Sequence, residues 1–292
     1  MVFDWIKFLE EYKKNVYRHE PESSHYFFKD RSSDTLCLVV GDSWTWGDGL
    51  EESNRLDQVY GNLISETLIS DWINIGCSGW SNSWILLNTQ QVVTQLVYTK
   101  KYKKIYVIIT LTENGRDIVT GQAYHYDYRN THQIIGTSCE FYDTILNDIQ
   151  DHWANQIQNL LNVSDDRYIF FIGQNFVWHN QLKNKLYNTR LIFSDLNWIE
   201  CLADYQHMSR PIRTNLGTGW IFDTISKIHD IIDEKDLTFF KKWSVDKIDK
   251  ALKLNEWLDS SPINYKKASK HPNAVGHVVW ANHILNQIKQ YI

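Results

Sequence analysis

Residues 105–111 read Ile-Tyr-Val-Ile-Ile-Thr-Leu, a strand-length run with no charged residue. A run this short and this rich in β-branched side chains is a strand, and with no polar alternate it must be buried on both faces. That requirement limits the fold more than any other feature, because a strand covered on both sides needs helices above and below its sheet. The rest of the chain supplies them. Residues 35–40, 72–75, 168–172 and 191–193 are further short apolar runs. Between them, Leu56, Val59, Tyr60, Leu63, Ile64 and Leu68 recur at helical spacing, as do apolar positions in 84–98 and 140–161. Strands alternating with helices predict a parallel, three-layer α/β sheet with right-handed crossovers.

The domain is expected to occupy residues 35–292. Residues 1–34 read as a helical arm packed on it, from the spacing of Phe3, Ile6, Phe8, Leu9, Tyr12 and Val16. The pattern weakens over 195–265, which is taken as an elaboration on the sheet. The last helix is expected to start near Pro272, a residue suited to a first helical position. Its buried positions are expected at Val275, Val278, Val279, Ile284, Leu285 and Ile288.

Composition excludes several classes of function. A net charge of −5 without a long basic block gives no electrostatic case for nucleic-acid binding. No run approaches the ~18 consecutive apolar residues of a spanning helix, so membrane insertion is not expected. The first residues carry acid and lack the apolar core of a signal peptide, which points to the cytoplasm. Cys37, Cys77, Cys139 and Cys201 have no paired spacing and read as small buried thiols. No histidine pair has metal-ligand spacing and no glycine-rich phosphate loop follows a strand, so neither a metal nor a nucleotide cofactor is expected. The 13 Trp and 16 Tyr serve either as platforms for sugar rings or acyl chains, or as packing area.

Chemistry concentrates where strands end. Gly41-Asp42-Ser43 closes the first strand, and a glycine-broken loop runs on to Gly49. In α/β sheets, ligands bind beyond the carboxyl ends of the strands. Three more stretches share that position: Asn74-x-Gly76-x-x-Gly79, Thr112-Glu113-Asn114-Gly115-Arg116, and His271-Pro272-Asn273 before the final helix. Acyl transfer needs this inventory, namely a hydroxyl nucleophile, an imidazole to take its proton, and neutral donors for the oxyanion. His271 is preferred over His277 as the base, because a residue in the loop before a helix can reach across the sheet edge. Arg116 suits a substrate carboxylate, phosphate or sugar hydroxyl, or else a structural ion pair. Asp42 and Trp44, on either side of the serine, are assigned with Arg116 to substrate binding.

With these four stretches in this order, the chain resembles the SGNH hydrolases, also called GDSL esterases and lipases. The resemblance runs from about residue 35 to 290 and implies a flavodoxin-like three-layer α/β/α sandwich with about five parallel strands. It implies Ser43 as nucleophile and His271 as base, with the Ser43 and Gly79 backbone N–H groups and the Asn114 amide as oxyanion hole. The sequence departs from the family pattern at Thr112 and Gly115, which stand for a glycine and an aspartate. It departs again at Ala268, where an aspartate usually orients the histidine. A backbone carbonyl within 267–270 is the expected substitute, with Asp259 or Asp42 as the alternative. The expected activity is hydrolysis of an oxygen ester by a serine mechanism, on a small acyl group such as acetyl carried by a carbohydrate or other polar alcohol. The alternatives are a lipase or thioesterase with a longer acyl pocket, and a binding protein that keeps the fold with little turnover.

Overall fold

The computed structural model describes residues 27–78, 80–112, 139–175, 180–205, 265–266 and 271–292. Its strands follow the apolar runs: β1 (Phe27–Lys29), β2 (Thr35–Gly41), β3 (Asp71–Gly76), β4 (Lys104–Leu111), β5 (Tyr168–Gln174) and β6 (Leu191–Phe193). They form one six-stranded sheet in the order β1-β3-β2-β4-β5-β6. All neighbouring pairs from β3 through β6 are parallel. The five parallel strands are those expected from the sequence. β1 is an addition, pairing antiparallel with β3, and it lies in the stretch expected to belong to a helical arm. Residues 1–26, the rest of that arm, lie outside the described residues.

The helices are α1 (Ser43–Trp46), α2 (Arg55–Gln58), α3 (Tyr60–Thr67), α4 (Asn82–Val97), α5 (Cys139–Val163), α6 (Asn180–Lys185), α7 (Trp198–Tyr205) and α8 (Ala274–Ile288). A two-stranded ribbon of β7 (Tyr265–Lys266) and β8 (His271–Pro272) precedes α8. Alternate residues of each strand face opposite layers, as the two-residue period requires. Leu36, Leu38 and Val40 of β2 pack with Ile85, Leu86 and Val93 of α4 and with Trp153 and Ile157 of α5. Cys37 and Val39 face the other layer, with Tyr60 and Ile64 of α3, Trp198 and Leu202 of α7, and Trp280 and Ile284 of α8. The sheet is therefore the centre of an α/β/α sandwich.

Several expectations are corrected here. α8 begins at Ala274 with Asn273 as its N-cap, the Asn273 side chain accepting from Gly276 N, so Pro272 lies in β8 and not in the helix. Its buried face is Gly276, His277, Trp280, Ala281, Ile284 and Ile288, whereas Val278 is 44% exposed. The tryptophans set this phase: Trp280 stacks on Trp198 with centroids 5.4 Å apart, and an indole there excludes the smaller valines from the centre. Trp72, Trp153, Trp198 and Trp280 are all fully buried, so these four are core and not platforms.

Two polar anchors hold the amino ends of the strands. Asp71, buried at the start of β3, accepts from Arg31 N, Ser33 N, Lys101 Nζ and Tyr102 Oη at 2.6–3.1 Å, which fixes the link from β1 to β2. The Tyr291 carbonyl, just past α8, accepts from Tyr106 Oη of β4 at 2.7 Å and from Lys104 Nζ. Cys37, Cys77 and Cys201 are buried and are not joined in disulfides. Among the described residues, no helix is long and apolar enough to cross a membrane.

Candidate active site

The chain passes from β2 outward to β3 and then back across β2 to β4, so the sheet has its topological switch point between β2 and β4. Such a point opens a crevice at the carboxyl ends of the two strands. Ser43 stands there, two residues past β2. The segment that reads as a glycine loop is a one-turn helix, α1, with Asp42 as N-cap accepting from Trp44 N at 3.0 Å. The turn lies almost on the strands. A Cβ at Gly41 would collide with Thr45, and one at Gly76 with the Trp46 backbone, so both strand ends need glycine. The same helix is held from below. Thr45 Oγ1 meets Tyr60 Oη, which meets Thr110 Oγ1, and Asn74 Nδ2 donates to the Thr45 carbonyl.

His271 comes from the β7–β8 ribbon. Its Nε2 lies 2.9 Å from Ser43 Oγ, across 228 residues of sequence. Ser43 is buried and His271 half-buried. In this pair the imidazole can take the hydroxyl proton when Nδ1 carries the ring hydrogen and Nε2 is the acceptor. Gly49 leads the loop after α1 against this histidine. Its φ is +96°, and a Cβ there would stand 2.7 Å from His271 Cβ. His277 is a different kind of residue. It is fully buried, stacks on Tyr60, and its Nδ1 accepts from Tyr60 N at 3.3 Å. Burial, with a smaller contribution from the nearby His271, pushes its pKa down to about 3, so the ring stays neutral.

Two assignments to substrate binding are corrected. Asp42 is 1% exposed, and besides Trp44 N its carboxylate accepts from Thr112 Oγ1 at 2.6 Å and Asn175 Nδ2 at 2.9 Å. It ties together the ends of β2, β4 and β5 and is closed to a substrate. Trp44 is 2% exposed and meets Trp198 edge to face at 5.2 Å, because the helical position after Ser43 turns about 100° away, into the core. Gly79, Asn114, Arg116, Asp259 and Ala268 lie outside the described residues. What the structure places is the approach to two of them. Thr112, two residues before Asn114, has its N–H bound by Asn82 Oδ1 at 2.7 Å and its carbonyl by Asn82 Nδ2 at 3.2 Å. Ser78, next to Gly79, donates to Asp48 Oδ2.

Asn82, Asn175, Asp48 and Ser78 were not singled out by motif. Three of them carry the signal of position, since Ser78 follows β3, Asn175 directly follows β5, and Asp48 lies in the serine loop. Asn82 carries only a capping signal, since Ser81 or Asn82 reads as the N-cap of the helix, and the structure gives that role to Ser81. Among the described residues, no group of three or more His, Cys, Asp or Glu side chains is placed to hold a metal ion.

No protein-family model matches the chain, and no curated protein matches it. Several solved structures resemble it. A member of the lipolytic G-D-S-L family from Veillonella parvula is 11% identical with a TM-score of 0.37, covering 88% of this chain and 99% of its own. Axe2, an acetylxylan esterase from Geobacillus stearothermophilus, is 15% identical with a TM-score of 0.42, covering 87% of this chain and 93% of its own.

Proposed function

We propose that the protein is a serine ester hydrolase acting on an oxygen ester with a small acyl group, carried by a carbohydrate or similar polar alcohol. The observation that carries this reading is the 2.9 Å approach of His271 Nε2 to Ser43 Oγ at the switch point of the sheet. In the proposed reaction Ser43 Oγ attacks the ester carbonyl while its proton passes to His271 Nε2. Collapse of the tetrahedral intermediate breaks the bond to the alcohol oxygen, which takes that proton and leaves. Water, deprotonated by the same nitrogen, then cleaves the acyl-enzyme and releases the acid. The developing oxyanion is assigned to the Ser43 and Gly79 N–H groups and the Asn114 amide, neutral donors that need not reorganise as charge forms. The ring hydrogen on His271 Nδ1 is assigned to a backbone carbonyl within 267–270.

The deciding experiment is labelling with a fluorophosphonate, which reacts with an activated serine and not with one that is merely present. Labelling at Ser43 is expected, and Ser43→Ala should abolish both the label and hydrolysis of p-nitrophenyl acetate. The loss of a nucleophile is expected to be ~10³-fold or more in kcat. A Ser43→Ala variant that melts like wild type and keeps activity within tenfold of it ends the serine mechanism.

A further inference from the structure

We propose that Asp48 reads the alcohol half of the substrate, its carboxylate Oδ1 accepting a hydrogen bond from a hydroxyl beside the ester. This inference rests on the hydrolase reading above. Three observations place Asp48. Its backbone N–H donates to the Ser43 carbonyl at 2.9 Å, so it is attached to the turn that carries the serine. Its neighbour Gly49 touches His271. Its side chain reaches Ser78, the residue before Gly79.

The contact with His271 decides which half of an ester Asp48 would meet. The base that takes the serine proton must return it to the leaving oxygen, so the alcohol lies on the histidine's side of the carbonyl. Consecutive Cα atoms are about 3.8 Å apart, so Asp48, bonded to Gly49, adjoins the histidine's side of the turn, and its carboxylate is assigned to the alcohol half of the ester. The carboxylate is also prepared for the task. Ser78 Oγ–H holds Oδ2, which fixes the rotamer, while Oδ1 has no partner among the described residues. Asp48 as a residue is half-buried.

An ionised carboxylate is an acceptor only, so it selects for donors. A hydroxyl next to the ester satisfies it. An alkyl alcohol would cover the charge without a hydrogen bond, which is unfavourable, so the same group also selects against lipid-like alcohols. Asp48 thus makes a substrate class out of a shape, namely partly acylated polyols with a free hydroxyl beside the ester.

The test compares a monoacetylated methyl pyranoside bearing a free hydroxyl beside the ester with its deoxy counterpart lacking that hydroxyl. Wild type is expected to favour the hydroxyl-bearing ester by about 10- to 100-fold in kcat/KM, the range for a hydrogen bond to a charged group. In Asp48→Ala that ratio should fall to within about twofold of one. Asp48→Asn, which keeps the shape, should lie between, since an amide oxygen is a weaker acceptor. The ratio cancels any general loss of activity or folding. If both esters lose rate together and the ratio persists, Asp48 only positions the turn and the proposal fails. It fails too if wild type does not distinguish the two esters while still hydrolysing p-nitrophenyl acetate. If wild type hydrolyses none of the three and takes no fluorophosphonate label, the hydrolase reading falls, and this proposal with it.

Discussion

Gly49 is the wall behind His271: its missing side chain leaves the space that the histidine Cβ occupies, at 2.7 Å from where a Cβ would stand. Gly49→Ala should therefore act on His271 before it acts on the fold. The new methyl also meets a φ of +96°, a region that costs an L-residue about 1–2 kcal/mol. A displacement of the proposed base by ~1 Å is expected to lower kcat by about 10²-fold. Steady-state kinetics should put the loss in kcat, with KM within a few-fold of wild type. A change confined to KM would mean that the histidine does not take part in the chemical step.

Asp42→Ala tests whether this carboxylate holds the strand ends together or meets substrate. It leaves Trp44 N, Thr112 Oγ1 and Asn175 Nδ2 without their acceptor in a closed site. Each buried donor left unsatisfied costs about 1–3 kcal/mol. Urea unfolding should show a loss of about 3 kcal/mol or more. A loss under ~1 kcal/mol, with a raised KM, would return Asp42 to substrate binding.

Asn82 offers a way to disturb the loop beyond β4 without touching substrate. It grips both the N–H and the carbonyl of Thr112, two residues before the proposed oxyanion donor Asn114. Asn82→Ala is expected to lower kcat about 10- to 100-fold with little change in KM, because the oxyanion exists only in the transition state. Asn82→Asp, which keeps the acceptor for Thr112 N, should recover part of the loss. Equal effects of the two variants, matched by equal losses of stability, would reduce Asn82 to a structural role.

His277 gives the protein a pH-dependent stability. Its folded pKa of about 3 lies below the ordinary histidine value of ~6.5, so between those values the unfolded state binds the extra proton. The contribution is complete above pH ~6.5 and is lost as pH falls toward 3, at up to ~1.4 kcal/mol per pH unit. His277→Asn, whose Oδ1 can still accept from Tyr60 N, should flatten this part of the curve in urea melts at pH 7, 6, 5 and 4. An unchanged slope would assign the acid sensitivity to other groups.

The centre of the sheet is legible because β2 to β5 are buried on both faces: the runs at 105–111 and 168–172 match β4 and the body of β5, and the half-buried β6 is readable from its three apolar residues. β1 is not, since a short antiparallel edge strand among polar residues has neither length nor alternation to reveal it. α1 was misread as a loop because glycine usually breaks helices, whereas here glycines outside the helix, Gly41 and Gly76, make room for it. Trp44 and Asp42 were assigned by their nearness to Ser43 in sequence. Helical geometry sends the one inward, and the ends of β4 and β5 capture the carboxylate of the other, relations that exist only once the strands are side by side.

The separation of Ser43 from His271 has a consequence for time as well as for place. Closing a loop of 228 residues carries a large entropic cost, so contacts of this kind form after the local and strand-pairing ones. His271 arrives with α8, which docks on α3 and α7 and is fastened by the Tyr291 carbonyl to Tyr106 and Lys104, at the amino end of the central strand β4. During synthesis the sheet can therefore assemble around Ser43 long before any base stands beside it. Until the last helix settles, Ser43 has no imidazole beside it, and the proposed nucleophile waits unarmed.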